Sequence, residues 1–361
     1  MNGRNDGSDS IQNGSDNLSL EHILLNILIW LGLYLIVSLS LNVEYGFGGI
    51  PNFGRAFAVL IGAITVGALV NRILMALFGV TGEITTASGE VKYLMNDLIS
   101  QNPLIGLALL LLVIILAAVA GAVTGAIFII PSARLSEDYL AITLLAISEV
   151  LFMVSYYTPT IIRGYYGTSV PDIFAWTPSE YRTALFAILV ILTAAVIFII
   201  LDRILTSPYG RLLKAMREDE KVVKACGRDL TSLRMRTVAL GSAVAAIAGA
   251  LYSLYTLNVI TTSFSRVEWT FYPFLMILLG GVGNKKGVLL GTFIFIVVKI
   301  LLTTYKYEIN NLIHLPFETV WLEYIIFGTF MLLILLYKPE GLIKEKPIIT
   351  APMKQCAEKT K

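Results

Sequence analysis

Charge is what this chain has least of. Of its 361 residues only 14% are Asp, Glu, Lys or Arg, against roughly 25% in an average soluble domain. A chain so short of polar surface does not stay dissolved, and a water-soluble enzyme is excluded. Histidine is nearly absent, and His22 and His314 cannot supply the three or four ligands of a usual zinc site. The two cysteines, Cys226 and Cys356, lie far apart in polar segments and in no metal-ligand spacing. Neither a metal centre nor a disulfide framework is expected. Net charge is only +2, so no overall basic field calls for nucleic acid. No nucleophile–base pair stands at a plausible site, and no catalytic residue is assigned.

What the chain has in excess is apolar sequence. Hydrophobic residues make up 56% of it. Nine apolar runs can be read, at 20–43, 56–79, 103–130, 137–157, 181–201, 237–257, 270–283, 286–304 and 322–337. Most approach the ~20 residues that cross a bilayer as a helix. The seventh and ninth are short for a full crossing. The expected fold is all-α, a polytopic transmembrane bundle of about 8–10 spans. Residues 1–19 form a polar tail without the features of a signal peptide. The membrane domain then covers 20–338, and 339–361 is a second polar tail.

Lys and Arg set the orientation. Nine of the 27 fall in 202–236 and six in 338–361, whereas the segments 80–102, 158–180 and 258–269 hold one each. The positive-inside rule puts 202–236 and the C-terminus in the cytoplasm. Alternation adds Arg55, Arg134 and the Lys285-Lys286 pair to that side. It leaves the N-terminal tail outside, unless the stretch 46–54 hides a further short crossing.

Two glycine-rich interruptions break the apolar pattern, Gly46-Phe47-Gly48-Gly49-Ile50-Pro51-Asn52-Phe53-Gly54 and Gly280-Gly281-Val282-Gly283-Asn284-Lys285-Lys286-Gly287. Each has a double glycine, an Asn, a further glycine and then an apolar helix. Paired interruptions of this kind point to an internal repeat and to a transport path lined by broken helices. Gly48, Gly49, Asn52, Gly54, Gly280, Gly281 and Gly283 are therefore candidates for the path or its hinges. Ordinary tight loops are the alternative. Valine at Gly280 or Gly281 is expected to stop transport while sparing assembly. Glu149 sits mid-run, where a carboxylate should face a cavity or bond a neighbouring helix. Lys299, near the end of its run, is expected to snorkel. Gly121/Gly125, Gly241/Ala245/Gly249 and Gly287/Gly291 are small-residue faces for close helix packing.

The 202–236 loop carries its own signals. Ser207 reads as an N-cap with Pro208 at the first helical position. One helix is expected to run to Cys226, closed by Gly227. Leu212, Met216 and Val223 share a face, with Arg211, Arg217, Glu218, Asp219 and Glu220 among the charges covering the rest. The lipid interface, another part of this chain or a partner protein's groove could cover that face; the acidic triplet argues against an anionic lipid surface and favours a protein partner.

These segments resemble the membrane subunits of branched-chain amino acid ABC importers. Ser207-Pro208-Tyr209-Gly210-Arg211, Ala215-Met216-Arg217-Glu218-Asp219-Glu220 and Ala225-Cys226-Gly227 are similar to the family's coupling segment. Leu41-Asn42, Tyr45-Gly46, Asn52-Phe53-Gly54, Tyr139-Leu140-Ala141-Ile142-Thr143, Ala248-Gly249-Ala250-Leu251-Tyr252, Leu279-Gly280-Gly281-Val282-Gly283-Asn284 and Lys338-Pro339-Glu340-Gly341-Leu342 look like further blocks of it. The resemblance implies a type II-like ABC importer permease in the cell membrane, paired with a second, homologous permease. Two ATPase subunits would drive the pair, and an extracytoplasmic binding protein would deliver hydrophobic amino acids. Residues 207–227 would seat in an ATPase groove. No Gly-x-x-x-x-Gly-Lys-Ser/Thr loop occurs, so ATP is expected on those partners and no cofactor on this chain. Two departures stand out: Arg55 where the family often has His, and Val222-Val223 where paired alanines are usual. Urea, short amides and other amino acids are the alternative substrates. An ion-coupled transporter or channel working without an ATPase is the alternative class.

Overall fold

The computed structural model describes residues 6–162, 164–305, 319–338 and 340–345. His314, Pro339, Cys356, Arg163 and the tail beyond Glu345 lie outside the described residues. Regular structure among the described residues is helical apart from one short pairing, Thr168–Ser169 antiparallel to Asn258–Val259.

The first helix, α1 (Asp6–Leu41), starts within the polar tail. Then follow α2 (Arg55–Ile64), α3 (Asn71–Phe78), α4 (Ile84–Gln101), α5 (Pro103–Ile129), α6 (Glu137–Tyr157), the single turn α7 (Pro159–Ile162) and α8 (Ser179–Thr206). Two short helices, α9 (Pro208–Glu218) and α10 (Glu220–Ala225), lead into α11 (Leu230–Thr256). The chain continues through α12 (Tyr272–Gly280), α13 (Lys285–Thr304) and α14 (Thr319–Tyr337). Among the described residues, seven helical stretches are long and apolar enough to cross a bilayer, and Trp321–Ile334 is a shorter apolar one. The expected all-α, polytopic bundle is what these helices form. Run 270–283 forms no full span: a π-helical turn, Val267–Phe271, leads straight into the nine-residue α12, which folds back against α13.

Local chemistry fixes the helix starts. Asn102, Ser207, Asp219, Asp229 and Asn284 each accept a backbone N–H from the first turn that follows, satisfying donors that a helix start leaves bare. Pro103 and Pro208 occupy first-turn positions where no N–H is needed.

The core is built on α11, packed against α2, α5 and α1. Lipid gives helices no hydrophobic reason to associate, so close van der Waals fit must hold them. A Cβ added to Gly62 would stand 1.8 Å from the Ala246 carbonyl oxygen, and one on Gly249 would stand 1.8 Å from that of Val59. Gly121 and Gly125 of α5 meet Ser242 and Ala246 in the same way. The faces read as packing surfaces in the sequence pack as such. By contrast α5 and α8 each leave an apolar flank open, including Leu107, Leu111, Ile115, Ile188 and Leu192, as lipid-facing spans do.

Polar contacts collect one set of connections at one end of the bundle. Arg234 donates to the Ala133 carbonyl at 2.7 Å and the Leu135 carbonyl at 2.8 Å. Lys285 pairs with Asp202, and Lys214 with Glu345 at 2.6 Å. Residues 42–55, 133–135, 202–229, 281–286 and 340–345 thus share that end, the grouping that alternation of Lys and Arg required. The stretch 48–54 is non-helical and holds no further crossing. At the other end lie α4, α7 and the strand pairing.

Candidate functional site

The two glycine interruptions meet. At the first, α1 widens into a π-helical turn, Asn42–Phe47, and Gly49 adopts φ +67° before α2 begins at Arg55. At the second, α12 stops at Gly280, Gly281 and Gly283 take φ +118° and +76°, and Asn284 caps α13. The buried Asn42 side-chain oxygen accepts the Gly283 N–H at 3.0 Å. A Cβ on Gly46 would stand 2.7 Å from that same nitrogen. This contact stands independently of any repeat relationship between the halves.

Behind the first break sits a charge pair that sequence reasoning missed. Glu44 and Arg55 form an ion pair with both side chains fully buried. Asn52 donates to the same carboxylate at 2.9 Å and accepts the Gly54 N–H at 3.0 Å. Asn52 is therefore a brace of the turn. Gly241 makes room for the pair, since a Cβ there would lie 2.0 Å from Glu44 Oε1. Two opposite charges eleven residues apart, flanking an interruption, are the signal for it in the sequence.

Helix α9 reaches this junction. Arg217 donates through Nη1 to the Gly46 carbonyl and through Nη2 to Glu345 Oε2 at 2.8 Å. A Cβ on Gly49 would touch the Arg217 backbone at 3.1 Å, and one on Gly48 would lie 3.5 Å from the end of Met216. Lys214 lies over the Phe47 ring at 5.1 Å. Tyr209 shares a hydrogen bond with Thr237 of α11 at 2.9 Å. Burial pushes its phenol above the ordinary value, so it stays neutral. The C-terminal segment clasps the second break, with Leu342 N donating to Leu279 O at 2.8 Å and Ile343 N to Gly280 O at 3.0 Å.

Three expectations for these segments need correction. The loop helix is not continuous: Asp219, at φ −156°, breaks it and caps a second helix by accepting Lys221 N at 2.8 Å. Gly227, at φ +73°, closes that second helix as expected. Of the candidates for covering the apolar stripe, it is another part of this chain, and not the favoured partner groove, that does so. Met216 and Val223 are 1% and 2% exposed, covered by this chain itself, and Leu212 is half-buried. Glu220 is tied to Arg234. Exposed in this segment are Arg211, Glu218, Asp219, Lys221 and Val222, the last 55% exposed, together with residues 224–229. Finally, Gly280 cannot take valine without disturbing the packing of this chain itself, because a Cβ would lie 2.0 Å from the Gly287 carbonyl. At Gly281 it would lie 2.2 Å from that of Ile343.

Glu149 lies away from this junction. It pairs with Arg266 at 3.1 Å, the two side chains 35% and 41% exposed. They line a cleft of about 260 Å³ with Phe57, Phe152, Phe264 and Ser265. Lys299 does not snorkel. Its ammonium lies 5.4, 5.3 and 4.7 Å from the ring centres of Trp30, Tyr34 and Tyr272, and 3.5 Å from Glu268. An aromatic box and a carboxylate replace the water it would otherwise seek. Among the described residues no group of three metal-ligating side chains forms.

A family described as branched-chain amino acid transport system / permease component matches residues 23–335. Over 329 residues the chain is 56% identical to the probable branched-chain amino acid transport permease protein LivM of Methanocaldococcus jannaschii, covering 91% of this chain and 95% of that protein. It is 25% identical over 338 residues to the high-affinity branched-chain amino acid transport system permease proteins LivM of Salmonella typhimurium and Escherichia coli, with 86% of this chain and 68% of each covered. No solved structure matches. With its apolar spans, broken helices and short charged helices at one end, the chain belongs to the branched-chain amino acid transport permeases and is a multi-pass permease subunit of an ABC importer.

Proposed function

We propose that this subunit, with a second, homologous permease, forms the pore through which branched-chain amino acids enter the cell. A binding protein delivers them on the outer face, and ATPase subunits seated on α9 and α10 supply the energy, with ATP bound and hydrolysed on those chains. The end that carries α9, α10 and Glu345 faces the cytoplasm, as the concentration of Lys and Arg there supports.

The observation that carries this reading is the position of Arg217. It belongs to the helix offered to the motor, yet its guanidinium holds a carbonyl of the first glycine break and a carboxylate of the segment that clasps the second. A displacement of α9 therefore reaches both interruptions through one side chain. Gly48, Gly49, Gly54, Gly280, Gly281 and Gly283 act as hinges in this scheme, with Asn52 bracing the first. The exposed Arg211, Glu218, Asp219, Lys221 and Val222 make the docking surface, while Met216 and Val223 anchor it to the bundle. Glu149, already paired with Arg266, gives little support to an ion-coupled carrier.

Co-purification with candidate ATPases tests the docking. Lys221→Glu with Val222→Asp changes only exposed positions and is expected to abolish association; unaltered association would refute the assigned surface. ATP-dependent uptake of leucine by cells with and without the chain tests the cargo. Loss of a different solute, with leucine uptake intact, would overturn the substrate and leave the importer class standing.

A further inference from the structure

Glu149, within a membrane span, pairs with Arg266, and two ionised side chains there do not face lipid without cost. Glu149 is about 17 Å along its span from Asp138 at 1.5 Å per residue, hence near mid-membrane. Arg266 ends an irregular stretch that starts at Leu257, with φ +54°, and passes through the strand pairing and a 3₁₀ turn, Thr261–Ser263. That stretch descends from the strand pairing at the end of the bundle, and ionised side chains at the depth of Glu149 belong beside protein or a water-filled path. Both side chains remain partly exposed, so their cleft opens at the surface of this chain.

The cleft has two kinds of lining. Glu149 and Arg266 offer opposite charges 3.1 Å apart, with Ser148 and Ser265 beside them. Phe57, Phe152, Phe264 and Val267 supply an apolar wall. Hydrogen bonds brace the frame: fully buried Trp269 donates to Ser263 O at 2.9 Å, and Glu268 N donates to Ser265 Oγ at 3.3 Å. We infer that this cleft is a binding station for a zwitterionic aliphatic amino acid, its carboxylate on Arg266, its ammonium on Glu149 and its side chain against the phenylalanines. This rests on the amino-acid reading above and deepens it.

The chemistry of exchange favours a zwitterion. Before it enters, the two protein charges satisfy each other. Once it is bound, each finds an opposite charge on the same molecule, and no ion is left bare in low dielectric. Leucinamide or 4-methylpentanoate would strand one protein charge, and urea would engage neither ion pair nor wall. The volume of about 260 Å³ leaves room for one residue of leucine's size.

The placement of the charges also dictates handedness. Interchanging them exchanges the sites for two substituents on Cα while the side-chain pocket stays put, so the mirror-image amino acid then fits. A merely structural salt bridge has no such property.

The test uses the complete complex of this chain with its partner permease and ATPases in nanodiscs. Binding of tritiated L-leucine without binding protein is measured beside ATP-driven uptake with it. Glu149→Gln and Arg266→Gln are each expected to weaken binding and raise the half-saturation of uptake by roughly tenfold or more, as losing a charge-assisted bond does, with complex yield unchanged. The double variant Glu149→Arg with Arg266→Glu should assemble and shift preference toward D-leucine. Single variants that behave as wild type, or a double variant that restores L-leucine with its original preference, overturn the assignment. Phe152→Trp fills the cleft without touching its charges and should also cost binding; unchanged binding there overturns the assignment even where the double variant does not assemble. A wild-type complex that transports no branched-chain amino acid would sink the amino-acid reading itself. Normal wild-type transport with indifferent variants sinks only the cleft.

Discussion

Asn42 and Gly283, 241 positions apart in sequence, are joined by one hydrogen bond at 3.0 Å, from the Gly283 N–H to the Asn42 side-chain oxygen. Both groups are buried, so neither has water as a substitute. The bond ties the last turns of α1 to the gap between α12 and α13. Asn42→Ala leaves the N–H unpaired and is expected to cost about 1–3 kcal/mol, read as a lowered thermal midpoint of the purified complex. Leucine uptake should fall further than the loss of folded protein explains.

Arg217 offers a sharper separation of energy use from transport. Arg217→Lys keeps the charge but cannot fork to the Gly46 carbonyl and Glu345 together. ATPase subunits should still bind and hydrolyse ATP, while leucine uptake and its stimulation of hydrolysis are lost. Glu345→Gln, which also weakens the Lys214 contact, should give a milder version. Normal coupling in Arg217→Lys would show that the arginine only packs.

The buried Glu44–Arg55 pair makes an asymmetric prediction. Glu44→Gln alone strands a guanidinium in the bundle and should destabilise it by about 3–5 kcal/mol, lowering the yield of membrane-inserted protein. Replacing both residues by apolar ones of similar volume should cost far less. Equal losses in the single and double variants would refute this account.

Asp219 separates α9 from α10. Asp219→Ala removes the cap on the second helix and should cost about 1 kcal/mol, seen as faster proteolysis after 219. Asp219→Ser should behave nearly as wild type, since serine caps as well.

Cys226 reports the side of the membrane. It is exposed at the end of α10. In a Cys356→Ser background, a membrane-impermeant maleimide should label it in inverted vesicles and leave it unlabelled in right-side-out ones. The opposite pattern would reverse the orientation.

Periodicity and composition made the spans legible, because lipid imposes a length and an apolarity that survive in any single helix. Ser207, Pro208 and Gly227 were legible for a similar reason: caps act on their immediate neighbours. Asp219 was harder to see, since the same side chain serves a helix interior or a cap and only backbone geometry decides. Met216 and Val223 misled because an amphipathic stripe says that something covers it, not what. The contacts of Asn42 with Gly283 and of Glu149 with Arg266 were beyond a one-dimensional reading, for each joins segments more than a hundred residues apart. Lys299 was misjudged because the rings that enclose it come from α1 and α12.

The glycines along α2, α5 and α11 have a mechanical consequence. Where an added methyl would collide with a facing backbone oxygen at 1.8 Å, two helices have no lubricating layer of side chains between them. Sliding one past the other would drive carbonyls into Cα atoms. Helix α5 closes on α11 almost as tightly, a Cβ added to Gly121 standing 2.5 Å from the Ser242 carbonyl oxygen, so these three spans resist relative sliding. Whatever swings during the cycle must swing against them, and the non-helical turns at Gly49 and Gly283, which have positive φ and lie outside those seams, are the places where the bearings can be.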